Sequence, residues 1–485
     1  MQIEKKLARL IYPEFRFGKT TMQEARELVN MGVGGFCLYG GSRDEITHTL
    51  RVLRSQSEHP LIFAADYENG AGQWIKEGTL LPSNMAIGAT GEPSFAKRKA
   101  VITAVEGAAM GVDWIFAPVV DLAEEHDNPI VNLRAFSDET SKTSLFASAY
   151  LEGLDSIGAI SSIKHFPGHG STMADSHLTL PEVKKSLPQL EEKELKPFEA
   201  LIPRADSVMV GHLHVPAIDP DNITSFSRKT IYELLRVKMS FEGVIITDAL
   251  SMKAISDEGK AGVKALLAGA DILLVPEDPF KLFEALKKAL AAGSLTEELI
   301  DSALARQEKM RLKLPKDFFS RYNLDRIGCR EHRDFVSEVA FKAQVQVKDD
   351  YFQRKSVYYW EDGDKSAGLK GEVFLSELRR FGVEIKQSAQ EADCCLIASF
   401  SRPRAYSGKI NLAEEDRKSI ESILALKKPA AMVCFGSPFS ADSYIERLNA
   451  LICSFSDLPE FQKAAAAGFL HKADLSGKMP VRLGR

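Results

Sequence analysis

The chain has 485 residues, a formal net charge of −5 and 45% hydrophobic residues. At this length two domains are expected, because a single hydrophobic core rarely organises so many residues. The basic residues form no long stripe, so nucleic acid is not expected as a partner. No apolar run reaches the roughly 18 residues that a membrane-spanning helix needs. The composition is typical of a soluble globular protein.

The first residues and the cysteines both bear on location. The sequence opens with Met-Gln-Ile-Glu-Lys-Lys, which is charged and leads to no apolar core with a cleavage site, so a secretory signal is not expected. Six cysteines are scattered through the chain, with no spacing typical of a zinc site or a disulfide framework. We interpret them as reduced core residues and predict a cytoplasmic location.

The first two thirds of the chain repeat a short apolar run followed by a longer helical stretch. Seven clear runs are visible, and a weaker one precedes them at about 8–12; the clear runs are 33–39, 61–66, 112–121, 159–165, 207–212, 244–248 and 270–276. Helical stretches such as 45–54, 92–110 and 140–157 lie between them. Alternation of this kind predicts a parallel sheet covered by helices, and the count favours a (β/α)₈ barrel.

Polar residues stand at the ends of these apolar runs. They are Asp66, Asp121, Lys164 with His165, His212 and Asp248. The carboxyl ends of the strands form the active site of a (β/α)₈ barrel. Titratable groups near a core are unfavourable unless they are paired or used. The pattern therefore predicts a functional site at this end of the barrel.

A second α/β pattern follows a polar, charge-rich region. Its predicted strands are 357–360, 383–386, 394–400, 430–435 and 450–455, and its predicted helices are 366–380, 414–426 and 460–470. This pattern predicts a smaller doubly wound, flavodoxin-like sheet. We expect a barrel domain over 1–315, a linker region over 316–350 with a helix in its later half, and a carboxy-terminal domain over 351–485.

The most specific stretch runs from Lys164 to His177 and reads Lys-His-Phe-Pro-Gly-His-Gly-Ser-Thr-Met-Ala-Asp-Ser-His. Its prolines and glycines are typical of a tightly folded surface loop. Its three histidines and Asp175 could in principle bind zinc, but their spacing fits no familiar zinc pattern and Lys164 would repel a cation. We therefore expect neither a metal nor another cofactor.

The motif Lys-His-Phe-Pro-Gly-His-Gly followed by Asp-Ser-His resembles the signature of the β-N-acetylhexosaminidase branch of glycoside hydrolase family 3. The resemblance extends over about 38–276, and the carboxy-terminal segment is similar to the smaller domain of that family. It implies a retaining enzyme that removes a terminal β-linked N-acetylhexosamine from a carbohydrate substrate.

Three residues are candidates for the chemical steps. Asp248 ends an apolar strand, where its carboxylate could attack an anomeric carbon or merely cap the next helix. The resemblance implies that Asp248 is the nucleophile. No second carboxylate stands out as the acid and base. Asp175 could orient the imidazole of His177, which would donate and later accept the proton. The resemblance implies this role, and the alternative is a structural hydrogen bond.

The substrate-binding candidates are Asp66, Arg134, Lys164, His165 and, from behind the sugar, His212. A strand-end carboxylate such as Asp66 can accept bonds from two sugar hydroxyls, although the Asn-Gly turn that follows could also explain it. The resemblance implies that Arg134, Lys164 and His165 bind ring hydroxyls. Asp121, which also ends an apolar run, could belong to the functional site or, equally, be a structural partner of a nearby base.

One stretch departs from the family. Relatives that trim cell-wall fragments often read Glu-Gly-Gly-Arg-Val-Gln-Arg, whereas positions 68–74 here read Glu-Asn-Gly-Ala-Gly-Gln-Trp. The missing basic residues leave the substrate open among muropeptides, chitooligosaccharides and other glycan fragments, with gluco or galacto configuration. The oligomeric state is also open.

Two further functions stay open. A phosphorylase could use the same scaffold, because a neutral histidine repels an attacking phosphate less than a carboxylate does. A catalytically inactive sugar-binding sensor is the other, although the intact catalytic candidates disfavour it. Since His177 would supply the proton, we expect the second domain to be dispensable for the chemistry; it could cover the leaving-group side or mediate dimerisation.

Overall fold

The computed structural model describes residues 3–172, 180–253, 255, 257–363, 368–403, 410 and 412–484. In this part of the chain the first domain is built around short parallel strands. They are β1 (Ile11–Tyr12), β2 (Glu14–Arg16), β3 (Gly35–Tyr39), β4 (Ile62–Ala65), β5 (Trp114–Ile115), β6 (Ile160–Phe166), β7 (Ser207–Val210), β8 (Val244–Thr247) and β9 (Leu273–Leu274).

Helices surround these strands and alternate with them along the chain. They are α1 (Ile3–Ala8), α2 (Met22–Met31), α3 (Arg43–Gln56), α4 (Asn84–Ala89), α5 (Pro93–Met110), α6 (Thr140–Ile157), α7 (Leu187–Glu192), α8 (Leu195–Leu201), α9 (Glu258–Ala268), α10 (Pro279–Ala291) and α11 (Glu297–Arg311). A π-helix covers Lys229–Lys238 between β7 and β8. None of the helices in the described ranges is long and apolar enough to cross a bilayer.

The strands close into a ring. From β2 to β8 they lie side by side in chain order, and every pair is parallel. The chain reaches β2 from β1 through Pro13, and β1 pairs with β9 on its other side. Ile246 of β8 forms a bridge with Ile272, just before β9. If β1 and β2 are taken as one interrupted strand, the predicted eightfold barrel is confirmed.

Local sequence signals set where the helices begin and end. Thr21 and Glu24 form a reciprocal capping box at the start of α2. The paired helices α5 and α6 each end at a glycine with a left-handed backbone, Gly111 with φ 93° and Gly158 with φ 87°. A residue with a Cβ is strained at such angles, so glycine turns the chain sharply towards β5 and β6. These turns fix where the two strands start.

The second domain follows α12 (Arg330–Lys342) and contains a mixed sheet. Its strands are β10 (Val345–Asp349), β11 (Ser356–Glu361), β12 (Glu384–Lys386), β13 (Cys394–Ser399), β14 (Ala430–Cys434) and β15 (Ala450–Cys453), and its helices are α13 (Glu372–Arg380), α14 (Glu414–Leu424) and α15 (Pro459–Phe469). The strand order is β10-β15-β14-β13-β11-β12, and only β10 is antiparallel to its neighbour.

The predicted five-stranded, doubly wound sheet is confirmed, and β10 is an addition to it. This strand begins at Val345, inside the region that the sequence pattern assigns to the linker. Its side chains are mostly exposed or half-buried, as expected of a strand at a sheet edge. It therefore lacks the continuous apolar run that predicts the central strands.

The two domains pack through a continuous apolar core. Phe439, Tyr444 and Phe455 of the second domain belong to the same buried cluster as the barrel residues. The carboxy-terminal segment then returns to the barrel, where the Lys478 amide donates to the carbonyl of Ala89. The second domain is thus joined to the barrel by both its core and its last residues.

Candidate active site

A cavity of about 360 Å³ lies at the carboxyl ends of the barrel strands, where the second domain covers them. Residues of both domains line it. The barrel contributes charged and polar side chains, including Asp66, Glu68, Arg134, Lys164, His165, His169 and Asp248. The second domain contributes Phe400, Arg402, Phe435, Phe455, Asp457 and Leu458 among others. This is the size of pocket that small ligands occupy in proteins.

A network of four alternating charges forms the floor of the cavity. The Lys164 ammonium lies 2.6 Å from Asp66 Oδ1 and 2.6 Å from Glu68 Oε1. Arg134 binds the same Glu68 carboxylate through two nitrogens, Nε at 2.8 Å and Nη2 at 2.7 Å. Bidentate, charge-assisted pairs of this kind fix side-chain geometry. Asp66 and Lys164 are thus held in place before any ligand arrives.

The network also fixes its own charges. Burial alone would raise the pKa of the Glu68 carboxyl, but Arg134 and Lys164 outweigh burial and hold it well below its usual range. Burial likewise lowers the pKa of Lys164, but Asp66 and Glu68 reverse the effect, and the net shift is upward. Both groups therefore stay ionised at neutral pH.

A second group of bonds orients His165. The Asp121 carboxylate lies 2.6 Å from His165 Nδ1 and also accepts from the His165 and His169 backbone amides. Asp121 is fully buried; burial raises its pKa, but His165 and His169 bring the net shift below the usual value. His165 Nε2 lies 3.3 Å from Arg134 Nη2. Asp121 is therefore a structural partner of His165, one of the two roles the sequence allowed.

His169 lines the cavity with its imidazole ring. Its Nδ1 lies 2.9 Å from Thr172 Oγ1, whereas Nε2 is buried and has no hydrogen-bond partner among the residues that the structure describes. Burial lowers the pKa of this imidazole to about 4, with a contribution from the nearby His165. His169 is thus neutral at neutral pH.

Asp248 directly follows β8, whose four residues are all buried. Its backbone amide donates to the carbonyl of Val210, and its Oδ1 accepts from the Ala249 amide at 2.8 Å. His212 stands behind this segment, with Nε2 3.1 Å from the Ala249 carbonyl and Nδ1 2.7 Å from Ser225 Oγ. The carboxylate is placed at the strand end and only partly buried.

An aromatic pair flanks Asp66. The Tyr39 hydroxyl lies 3.5 Å from Asp66 Oδ2, and the Trp74 indole donates to the Asp66 carbonyl at 3.1 Å. The two rings meet edge to face with centroids 5.1 Å apart. Trp74 occupies the last position of the stretch that departs from the family motif, so an aromatic ring stands there instead of an arginine.

A buried lysine supports this side of the cavity from below. Lys99 Nζ donates to the Pro82 carbonyl at 2.7 Å, to Asn84 Oδ1 at 2.7 Å and to Asn69 Oδ1 at 3.1 Å. The Asn84 amide in turn donates to the Arg134 carbonyl. Burial lowers the pKa of Lys99 to about 7. Lys99 thus ties the two loops that carry Asn69 and Arg134.

The cavity brings together Asp66, Arg134, Lys164, His165 and Asp248, all named from the sequence. His212 is not among the lining residues; it is fully buried and bonded through both ring nitrogens. Asp175 and His177 lie outside the described residues. Within the described residues, no cluster of three His, Cys, Asp or Glu side chains is arranged to hold a metal ion.

Sequence reasoning missed Glu68, His169 and the whole second-domain wall. A signal existed for Glu68, which stands two residues after the strand-end Asp66. For His169 the signal was its place between two glycines in the histidine-rich motif. No comparable signal marks Phe400, Arg402 or Asp457, because their approach to the barrel depends on how the domains pack.

Comparisons with known proteins agree on a family. Residues 2–309 match the N-terminal domain of glycosyl hydrolase family 3. The chain is 30% identical over 379 residues to β-hexosaminidase A of Pseudoalteromonas piscicida, covering 69% of this chain and 63% of that relative. It is 29% identical over 501 residues to a β-N-acetylglucosaminidase/β-glucosidase of Cellulomonas fimi, covering 93% and 88%. The chain thus spans less than two thirds of the first relative.

Solved structures share the two-domain fold. A family 3 β-N-acetylglucosaminidase from a Paenibacillus species superposes with a TM-score of 0.87 at 23% identity, covering 100% of this chain and 99% of the other. A β-glucoside phosphorylase superposes with a TM-score of 0.90 at 22% identity, covering 99% and 94%. The match to the family's N-terminal domain covers more than half of the chain. This protein therefore belongs to glycosyl hydrolase family 3.

Proposed function

We propose that this protein is a retaining β-N-acetylhexosaminidase that removes terminal, non-reducing β-linked N-acetylglucosamine. The observation that carries the proposal is the position of Asp248, which lines one cavity together with Asp66, Arg134, Lys164 and His165. The names of relatives support it, among them β-hexosaminidases at 30% and 35% identity.

Substrate binding relies on the charge network. Asp66 accepts hydrogen bonds from two adjacent sugar hydroxyls. Lys164 and Arg134 donate to hydroxyl oxygens of the same ring, and His165 Nε2 contacts a further hydroxyl. The ion pairs among Asp66, Lys164 and Glu68 hold these groups in place without the sugar. Binding therefore needs little side-chain ordering, which keeps its entropic penalty small.

The reaction proceeds in two steps. In the first, an Asp248 oxygen bonds to the anomeric carbon as the bond to the leaving oxygen breaks, and the leaving oxygen takes a proton from His177. In the second, water attacks the same carbon and gives a proton to His177, and the bond to Asp248 breaks. Asp175 holds the imidazole in the required tautomer. Two displacements retain the anomeric configuration.

Another carboxylate at the cavity, Asp457, is a different candidate for the proton donor. It belongs to the second domain and forms an ion pair of 2.9 Å with Arg402. Its Oδ2 already contacts the Arg402 guanidinium, and the resemblance implies that the histidine of the Asp-Ser-His motif is the acid and base. The proposal therefore assigns proton transfer to His177 and a different role to Asp457.

The experiment is turnover of 4-nitrophenyl β-N-acetylglucosaminide by the intact chain and by Asp248→Asn. The variant should lose at least about 1,000-fold in kcat, because the covalent step is removed. Mass spectrometry of a wild-type reaction with a slow substrate should place the sugar on the peptide that contains Asp248. Full activity of Asp248→Asn, or a label elsewhere, would contradict the mechanism.

A phosphorylase is the second candidate, favoured by the use of a histidine rather than a carboxylate as the acid and base. Product analysis with and without inorganic phosphate separates the two functions. Free N-acetylglucosamine in both conditions supports the hydrolase, whereas N-acetylglucosamine 1-phosphate in the presence of phosphate supports the phosphorylase. Absence of any turnover would leave only the sugar-binding sensor.

We extend the proposal to the location of the protein and to its natural substrate. The scattered cysteines, with no spacing typical of a disulfide framework, support a cytoplasmic location. An enzyme at that location would meet fragments recycled from the cell wall. Rates on muropeptide fragments, chitooligosaccharides and other glycan fragments, compared at equal concentration, would distinguish these substrate classes.

A further inference from the structure

The two sheets of the protein face each other across the cavity through the same kind of edge. Phe400 comes directly after β13, Phe435 directly after β14, and Phe455 two residues after β15. All three line the cavity opposite the barrel residues. The carboxyl ends of the second domain's strands therefore form one wall, and the carboxyl ends of the barrel strands form the other.

The order of strands reverses at this wall. From β11 the chain passes to β12 on one side of the sheet and then to β13 on the other. In open α/β sheets, ligands bind outside the carboxyl ends at such a reversal of strand order. Arg402 follows β13 at this point and lines the cavity.

The wall has an apolar base and a polar rim. Phe400 and Phe435 stack with ring centroids 4.9 Å apart and planes inclined by 19°. Leu458 lies partly exposed at the cavity, and Leu80 faces the same cavity from the barrel with 43% of its surface exposed. An apolar ligand face that packed on these two leucines would remove their apolar surface from water.

The backbone of this wall is strained. Phe455 has φ 60°, in the left-handed region that a bulky residue rarely adopts, and its carbonyl accepts from Ser83 of the barrel. Strain of this kind is often found at ligand-binding sites, where surrounding contacts enforce it. Here the contact with Ser83 joins the wall to the opposite side of the cavity.

We propose that this wall is the subsite for the leaving group, and that it takes a neutral sugar ring. The inference rests on the proposed hydrolase function and names its specificity-determining residues. The apolar face of the ring packs on Leu80 and Leu458 above the two stacked phenylalanines. Arg402 donates to one ring hydroxyl, and Asp457 accepts from a neighbouring one.

The charges at the rim favour a neutral sugar ring over a charged one. Arg402 Nη1 lies 2.9 Å from Asp457 Oδ2, and about half of the Arg402 side chain and a third of the Asp457 side chain are exposed. The pair carries no net charge, and its donors and acceptors match the hydroxyls of a sugar. A carboxylate on the ring would meet Asp457, and repulsion would weaken binding.

The first experiment compares two substrates whose leaving groups are both alcohols that need a proton. One is methyl β-N-acetylglucosaminide, and the other is the β-1,4 disaccharide of N-acetylglucosamine and glucose. Arg402→Ala should lower kcat/KM for the disaccharide about tenfold or more, because hydrogen bonds to a bound ring are lost. It should change kcat/KM for the methyl glycoside less than about twofold.

The matched control is Arg447→Ala, which removes an arginine of the same domain from its ion pair with Glu421 away from the cavity. It should change neither substrate. An equal loss on both substrates in Arg402→Ala, or no loss on either, would overturn the subsite. No turnover of either substrate by the wild-type chain would instead show that the proposed hydrolase function fails.

The second experiment tests the charge rule with disaccharides that differ only at C6 of the second ring. The wild type should favour N-acetylglucosaminyl-β-1,4-glucose over N-acetylglucosaminyl-β-1,4-glucuronate. In Asp457→Asn the ratio of the two kcat/KM values should shift about tenfold towards the glucuronate and the preference should reverse, because Arg402 then meets the carboxylate without a competing charge. A wild-type preference for the glucuronate, or an unchanged ratio in the variant, would overturn the proposal.

Discussion

Glu68 lies between two cations, and its contacts explain why Asp66 and Lys164 are held in a fixed position. The carboxylate holds Arg134 through two bonds and Lys164 through one, and only 7% of its side chain is exposed. Removing one charge from a buried cluster leaves the others without compensation. Glu68 is therefore a positioning residue for the groups that would contact the substrate.

Glu68→Gln keeps the shape of the side chain and removes its charge. We expect the free energy of unfolding to fall by about 3–5 kcal/mol, because two partly desolvated cations lose their partner. Urea denaturation measures this difference. Glu421→Gln, in an exposed pair with Arg447, is the matched control and should cost less than about 1 kcal/mol. Equal effects of the two substitutions would contradict the buried network.

His169 makes stability depend on pH in the acidic range. Its folded-state pKa of about 4 lies below the ordinary value of 6.5. Between these values the unfolded chain takes up a proton at this residue and the folded chain does not, so stability is lost as the pH falls. The slope is at most about 1.4 kcal/mol per pH unit.

His169→Gln should therefore lose less stability than the wild type between pH 6.5 and 4. Urea denaturation at several pH values within this window measures the difference in slope. His48→Gln changes an exposed histidine of α3 and serves as the control, with an expected slope like that of the wild type. A wild-type slope in His169→Gln would show that the imidazole is not shielded as described.

Sequence reasoning found the strand-end residues because parallel strands bring their carboxyl ends to one edge. That rule places Asp66, Lys164, His165 and Asp248 in one region, but it does not determine which way each side chain faces. His212 also ends a predicted strand, yet its ring is bonded to Ala249 and Ser225 behind the cavity. Long-range packing decides between these outcomes.

At the scale of elements, the barrel uses carboxylates differently at the two ends of its strands. Asp113, Asp206 and Asp271 each stand just before a strand, at the opposite end from the cavity. Each pairs with basic side chains: Asp113 with Arg54, Asp206 with Lys313, and Asp271 with Arg236 and Arg306. Residues at this end of a barrel serve stability, whereas those at the carboxyl ends serve function.

Asp271→Asn tests this division. Asp271 is fully buried and also accepts from the Ile245 amide, so the variant leaves two arginines without their counter-charge. We expect a loss of about 3 kcal/mol or more in unfolding free energy, with kcat/KM changed less than about twofold at 25 °C. Asp66→Asn should show the reverse pattern, a large loss of kcat/KM with a smaller change in stability. Similar profiles would contradict the division.

The helices and central strands could be predicted because each has a strong local signal. The sequence pattern placed α6 at 140–157, and the structure has it at Thr140–Ile157. The edge strand β10 and the π-helix at Lys229–Lys238 were not predicted. An edge strand has few buried side chains. A π-helix differs from an α-helix by one residue in the spacing of its hydrogen bonds, and the sequence carries no local signal for that difference.

At the scale of the whole molecule, the last residues of the chain support the site from behind. The Ser137 hydroxyl donates to the Pro480 carbonyl, and the Arg482 amide donates to Asp138 Oδ2 at 3.3 Å. Val481 is buried in the common core. Ser137 and Asp138 closely follow Arg134, so the carboxy-terminal segment braces the loop that carries this arginine.

A chain that ends after Gly477 should therefore melt at a temperature at least about 3 °C lower, since several bonds and one buried side chain are lost. Its KM for an aryl N-acetylglucosaminide should rise, because the Arg134 loop loses its support. Calorimetry and steady-state kinetics measure the two effects. Lys478→Ala keeps the backbone amide that bonds to Ala89 and should resemble the wild type; a stable, fully active truncated chain would contradict the bracing role.

The same packing bears on the expectation that the second domain is dispensable for the chemistry. Removing everything after residue 350 would expose the barrel side of a shared apolar core and delete one wall of the cavity. Loss of activity in such a fragment would not separate chemistry from folding. Point substitutions such as Arg402→Ala, in the complete chain, test the chemical independence of the barrel more directly.

The two walls of the cavity come from separate parts of the chain, and this has a consequence for engineering and for divergence. Arg402, Pro403, Asp457 and Leu458 line the cavity, are not among the buried residues of the shared core and can vary without touching the barrel residues that bond to one another on the cavity floor. If the wall is the proposed subsite, a library confined to those four positions would sample new leaving groups while the sugar bound by the barrel stays the same. Substitutions at the same positions would give related enzymes distinct substrate specificities.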